Sequence, residues 1–198
     1  MRIFRSAIAL LHHVMHIDLN IFLGISDGRF PLILGEQCMF PLLRELKVLD
    51  MSLLSPSFLH RHPTLEYLGL RQILCPCELP PEHRGGVSPK LRTFIGPFKL
   101  LPLVIPNSAV FHAGLMCGHI LPMQRWVNLM LCLRQSRAPI WVFECHMRAF
   151  QKDMMLTMGH YLPDLRVLRL LDKHVWTEPV RNYSRIFAHF SKLKIFVK

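Results

Sequence analysis

An α/β fold built from short parallel strands stacked side by side is what this sequence predicts, and three observations predict it. A pattern Pro-x-Leu-x-x-Leu/Phe-x-apolar recurs as PLLRELKV from Pro41, PTLEYLGL from Pro63, PKLRTFIG from Pro89 and PDLRVLRL from Pro163. The prolines stand 22, 26 and 74 residues apart, and the last interval is close to three of the shorter ones. Within each copy the apolar residues alternate, which on a strand sends every second side chain to one face. With 51% apolar and 19% charged residues among 198, the chain can also bury a sizeable core.

The elements follow in order. HIDLNIFL at 16–23 reads as a first strand. The clearest repeat strands are expected near 43–49, 65–71, 91–96, 165–171 and 193–197, the last as FSKLKIFV with Ser in place of Pro. In the copy from Pro63, Leu68 and Leu70 enter the core together and Leu65 packs above them from the preceding turn. Tyr67, Gly69 and Arg71 then face outward. Proline suits the start of such a strand, where no ladder donor is needed. Two degenerate copies should lie between 89 and 163. AVFHAGL at 109–115 and PIWVFEC at 139–145 are the candidates, with WVNLMLCL at 126–133 competing for the second place. The segments between, such as SLLSPSFLHRHP at 52–63, are expected to form irregular or short helical returns. A single repeat cannot bury its apolar edge, so neighbours must share one core. The chain is thus expected to form one domain over 1–198. Because it stops at Lys198 inside a predicted strand with no polar cap, it is expected to be a fragment, a decayed gene product or an array capped by something else.

Leu-x-x-Leu-x-Leu repeated every 20–29 residues resembles the leucine-rich repeat. That resemblance implies a solenoid with a curved parallel β-sheet on its concave side and helices or loops on its convex side. The family's commonest form carries Asn three residues after the last leucine, where this chain has Met51, Ile73 and Lys173. The array is therefore similar to the irregular repeats in the C-terminal part of many fungal F-box-type proteins, and the motifs cover about half the chain. No F-box is found: Leu79-Pro80-Pro81-Glu82 is followed by His83-Arg84-Gly85-Gly86, which breaks a helix.

Charge narrows the partner classes. Lys and Arg outnumber Asp and Glu by 24 to 13, but the cations are scattered instead of gathered in a run. The densest stretch is the tail, with Lys173, Arg181, Arg185, Lys192, Lys194 and Lys198 against Glu178. A nucleic-acid footprint needs clustering on one face, so a protein partner is preferred to nucleic acid. A mean hydropathy of +0.28 raises the membrane question, and Leu100 to Gln124 contains no charged residue. Pro102, Pro106, Pro122, Asn107, Ser108, His112 and His119 argue against a spanning helix. Short buried strands broken by turns account for the same letters. Six irregularly spaced cysteines fit free buried thiols in a reducing compartment. With no targeting peptide in MRIFRSAIALLHHVMHIDL, an intracellular location, cytoplasm or nucleus, is expected.

Candidate chemistry is sparse. Cys145 and His146 within Glu144-Cys145-His146 point to opposite faces of a strand, so they do not make a dyad. His12 and His16, spaced i and i+4, fit an amphipathic terminal helix, without the Glu that a zinc protease places after its first His. Cys75, Cys77 and His83 lack a fourth zinc ligand. His60 and His62 read as a convex loop. No enzyme activity, metal or cofactor is expected.

The expected work is protein binding through the concave strand residues Glu45, Lys47, Tyr67, Arg71, Thr93, Ile95, Val167, Arg169 and Leu171. Tyr67, Arg71 and Arg169 are the expected anchors, because Tyr and Arg dominate interface hot spots. The F-box-type resemblance implies substrate recognition for a ubiquitin ligase, with a Skp1-like adaptor as partner only if a docking segment is present. The alternatives are a basic nucleic-acid binder or a membrane-associated protein through 100–124.

Overall fold

Eight short strands, laid edge to edge in the order in which the chain makes them, form one parallel sheet. The computed structural model describes residues 13–19, 34, 39–50, 57–72, 88–117, 121–146, 151–170, 190 and 193–197. The strands are β1 His16–Leu19, β2 Glu45–Asp50, β3 Tyr67–Gln72, β4 Thr93–Pro97, β5 His112–Met116, β6 Val142–His146, β7 Val167–Leu170 and β8 Lys194–Val197. Each of the repeat strands begins later than the motif's proline, because the Pro-x-Leu part lies in the turn before it. The chain is therefore an α/β protein with a single all-parallel sheet.

Register explains why these sequences pair. Leu46, Leu68, Phe94, Ala113, Phe143 and Leu168 are mutual partners in one continuous row, all buried. The residue two before each of β2 to β7 is buried as well: Leu43, Leu65, Leu91, Val110, Ile140 and Leu165. Those are the leucines of Pro-x-Leu and their substitutes in the two degenerate copies. One residue later the backbone repeats a fixed device. The carbonyls of Met15, Arg44, Glu66, Arg92, Phe111 and Trp141 each accept two amides from the next strand's start, as when Arg44 and Glu45 both donate to Met15 at 2.8 and 3.0 Å.

The returns are tied one rung back by side chains. Thr64 Oγ1 donates to the Leu43 carbonyl at 2.8 Å, Ser88 Oγ to Pro63 and Leu65 at 3.0 and 3.1 Å, and Ser136 Oγ to Val110 at 2.7 Å. Each bond satisfies a carbonyl in the preceding turn that the ladder leaves open.

Three helices occupy the described returns, and several expectations change there. A 3-10 turn at Phe98–Leu100 leads into α1, Leu101–Val104, where short strands were expected; Pro102 sits in its first turn, where a missing N–H costs nothing. Asn107 then takes the left-handed conformation, φ 66, to turn the chain toward β5. WVNLMLCL is not a strand but the body of α2, Met123–Leu133. Trp126, Leu129, Met130 and Leu133 recur at 3, 4 and 7 residues and form one buried stripe. AVFHAGL and PIWVFEC supply β5 and β6 instead. The third helix, α3, Lys152–Tyr161, buries Met154, Met155 and Met158. Trp126 joins the layers: its ring meets Phe143 of β6 edge-on at 6.0 Å, and its Nε1–H donates to the Met154 carbonyl at 3.0 Å.

One histidine expectation is corrected. His16 opens β1, because His-Ile-Asp-Leu alternates and pairs with β2; it does not share a helix with His12, which lies outside the described residues. His62 lies in the turn before β3 and is fully buried. Its ring stacks on Phe58 at 4.1 Å, Nδ1 donates to the Phe58 carbonyl at 2.6 Å, and Nε2 accepts the Phe40 amide at 3.0 Å. Cys75, Cys77, His83, the 79–86 loop and all the tail cations except Lys194 lie outside the described residues. Among the described residues no helix is long and apolar enough to cross a membrane.

Candidate functional site

Alternation along each strand leaves two rows of side chains on the face opposite the leucine rows. The first runs His16, Glu45, Tyr67, Thr93, His112, Val142, Val167 and Lys194; the second runs Asp18, Lys47, Gly69, Ile95, Gly114, Glu144 and Arg169. Eight of the nine residues expected to form a binding face belong to this side. Arg71 and Arg169 are exposed, while Glu45, Lys47, Tyr67, Thr93, Ile95 and Val167 are half-buried. Leu171 lies outside the described residues.

The charged centre of this face is a residue that sequence reasoning noticed only as a neighbour of Cys145. Glu144 is 7% exposed. Its Oε1 accepts a hydrogen bond from His112 Nε2 at 3.0 Å and another from the Arg169 guanidinium. The register makes this possible. Arg169 stands directly opposite on β7, and the β5 partner is Gly114, which has no side chain to block the way to His112. Ile95 covers Gly114 from the other side: a Cβ there would lie 3.0 Å from Ile95 Cγ1. The His112 hydrogen bond first, and then Arg169, hold the Glu144 carboxyl down at about 2 against the opposing cost of burial.

That depression has a consequence for acid stability. Folded Glu144 resists protonation while an unfolded carboxyl takes its proton near 4.5. Its stabilisation is therefore complete above pH 4.5 and disappears as pH falls toward 2. Glu144→Gln is expected to cost about 2 kcal/mol at pH 7 and to flatten the loss between pH 5 and 3. Urea midpoints across that range check it, and parallel profiles for the two proteins would contradict it.

Tyr67 is the aromatic centre. Its ring lies across Gly69, where a Cβ would come within 3.0 Å of Tyr67 Cε1, and Lys47 Nζ sits 5.3 Å from the ring centroid. Burial, reinforced by the negative charges of Glu144, Glu45 and Asp18, raises the phenol's pKa, so the hydroxyl stays protonated at neutral pH. At the first strand His16 Nδ1 contacts Glu45 Oε2 at 3.2 Å. On this face the acids Asp18, Glu45 and Glu144 are interspersed with the cations Lys47, Arg71, Arg169 and Lys194.

The thiols lie elsewhere. Cys117, Cys132 and Cys145 are buried, and burial pushes Cys145 well above the ordinary thiol range and Cys132 up to about 11. Cys145 faces the core while Glu144 and His146 face outward, so Cys145 and His146 stand apart as alternation requires. Among the described residues no group of three or more His, Cys, Asp or Glu side chains is placed to hold a metal ion. No protein-family model matches the chain, and no curated protein matches it in sequence.

Proposed function

We propose that the chain is a leucine-rich-repeat-like solenoid and a protein-interaction scaffold, with the outward sheet face as its concave binding surface and no chemistry of its own. Strand pairing in chain order, one doubly accepting carbonyl per rung and hydroxyl bridges reaching one rung back support the repeat reading. The observation that carries the binding reading is the mixed-charge face itself, where exposed Arg71 and Arg169 and half-buried Tyr67 share one side of the sheet with a nearly buried, ionised Glu144. Such a surface offers a rigid aromatic and two planar guanidinium groups to a partner. Its acids oppose a continuous phosphate backbone, which favours protein over nucleic acid.

The resemblance to the repeat part of fungal F-box-type proteins makes a substrate for ubiquitin transfer the first partner class to seek. Partners captured from the native cell should cross-link to β2–β7 on the outward face. Their recovery should fall at least tenfold with Tyr67→Ala combined with Arg71→Ala, the fold being checked by thermal melting. Cross-links confined to the helix side, or recovery unchanged by that double variant, would refute the reading. A Skp1-like adaptor among the partners would place the chain in a ligase receptor.

A further inference from the structure

The edge of the sheet where the strands begin forms a second surface that adjoins the face described above. One residue before each of β1 to β7, the side chains Met15, Arg44, Glu66, Arg92, Phe111, Trp141 and Arg166 follow one another along this rim, one per strand. Their backbone carbonyls, from Met15 to Trp141, are each used twice by the neighbouring strand. The rim therefore has no spare backbone acceptors there, and whatever it recognises it recognises through side chains. Those are mostly donors: three guanidinium groups and the Trp141 indole. Arg44 and Arg92 make no ion pair among the described residues, although Glu66 stands between them.

The apolar part of the rim is already ordered. Phe111 and Trp141 lie 5.5 Å apart, and the Arg166 guanidinium covers the Trp141 ring at 4.7 Å. Trp141 nevertheless remains 37% exposed. Beside this pair opens a groove of about 320 Å³, lined by Met15, Arg44, Glu66, Arg92 and Phe111 of the rim and by His16, Glu45, Tyr67 and Thr93 of the adjoining face. An aromatic pair fixed in advance loses little freedom when a ligand arrives.

We propose that this rim binds an extended acidic segment of a partner protein, with an apolar side chain set between its acids. The spacing follows from the strands, which stand about 4.8 Å apart. Arg44 and Arg92 are two strands apart, about 10 Å, or about three residues of extended peptide at about 3.3 Å each. Arg92 and Arg166 are three strands apart, about 14 Å, or about four residues, with Phe111 and Trp141 between them. An acid–x–x–acid–x–apolar–x–acid segment matches this order. A peptide can leave uncharged positions opposite Glu66 and Glu45, whereas a nucleic acid carries a phosphate at every nucleotide. That difference selects the peptide.

The test uses the whole chain and a fluorescein-labelled peptide, Glu-Ser-Ser-Glu-Ser-Leu-Ser-Glu, followed by fluorescence anisotropy. Saturable binding is expected, weakened at least tenfold by Arg92→Glu, by Arg44→Glu and by Trp141→Ala, and within twofold of wild type for Arg134→Glu, an exposed arginine after α2. Circular dichroism melts establish that each variant is folded. Absence of saturable binding, equal binding by folded Arg92→Glu and Arg44→Glu variants, or equal displacement by oligouridylate would each overturn the proposal.

Discussion

Replacing Trp126 by alanine is expected to lower the unfolding free energy by about 3–5 kcal/mol. The side chain is fully buried and serves three elements at once. It belongs to the inward stripe of α2, its edge meets Phe143 on β6, and its Nε1–H satisfies the Met154 carbonyl at the start of α3. Alanine would leave a cavity and strip that carbonyl of the indole's hydrogen bond. Small domains hold only about 5–15 kcal/mol in total, so the loss would be a large share of it. Trp126→Phe separates the contributions, since it keeps most of the apolar volume and gives up the hydrogen bond, at about 1 kcal/mol plus the smaller ring. Urea denaturation checks both. Similar midpoints for Trp126→Ala and wild type, with unchanged slopes, would mean that the indole does not join the helix layer to the sheet.

His62→Ala is expected to cost about 3 kcal/mol or more. The imidazole is neutral and its tautomer is fixed by its partners: Nδ1–H faces the Phe58 carbonyl, and bare Nε2 receives the Phe40 amide. Phe40 lies 22 residues away, so the ring ties one return to its predecessor. Removing it leaves the buried Phe40 amide unpaired, takes one of two hydrogen bonds from the Phe58 carbonyl, which keeps the Arg61 amide at 3.2 Å, and deletes the stacking on Phe58. The same burial lowers the pKa of His62 below its ordinary 6.5. Below that pH the unfolded chain takes up the proton more readily than the folded one, so stability is complete above about 6.5 and falls as the medium acidifies. Wild type should lose more stability than His62→Gln between pH 7.5 and 5.5. Equal losses would show that the imidazole is free to protonate in place.

Much of the sheet was legible because its signal is local. β2, β3, β4 and β7 carry Pro-x-Leu followed by alternation, and a strand needs little more. β5 and β6 were legible only through spacing, since Val110 and Ile140 replace the leucine and no proline stands at the usual place. The α2 segment was ambiguous for a physical reason. A short run such as WVNLMLCL fits two periods, and only burial of Trp126, Met130 and Leu133 on one side selects the helix. The burial of His62 was not legible because its partners, Phe40 above all, come from a different return. Eight of the nine expected face residues lie where alternation put them. Glu144 was missed because its role depends on three strands in register, with glycine on one side and arginine on the other. Aligning APIWVFEC, from Ala138, with PTLEYLGL sets Glu144 at the Gly69 position, which was the available signal.

The central claim is that each motif forms one rung and that the rungs lie side by side in chain order. Spin labels introduced through noncanonical residues at Glu45, paired in turn with Val142, Val167 or Lys194, test it most directly, because all four positions belong to one register row. Strand spacing gives backbone separations of about 19, 24 and 29 Å, so pulsed electron–electron distances should lengthen in that order by about one strand spacing each time. Distances that fail to increase from Val142 to Val167 to Lys194 would contradict the account.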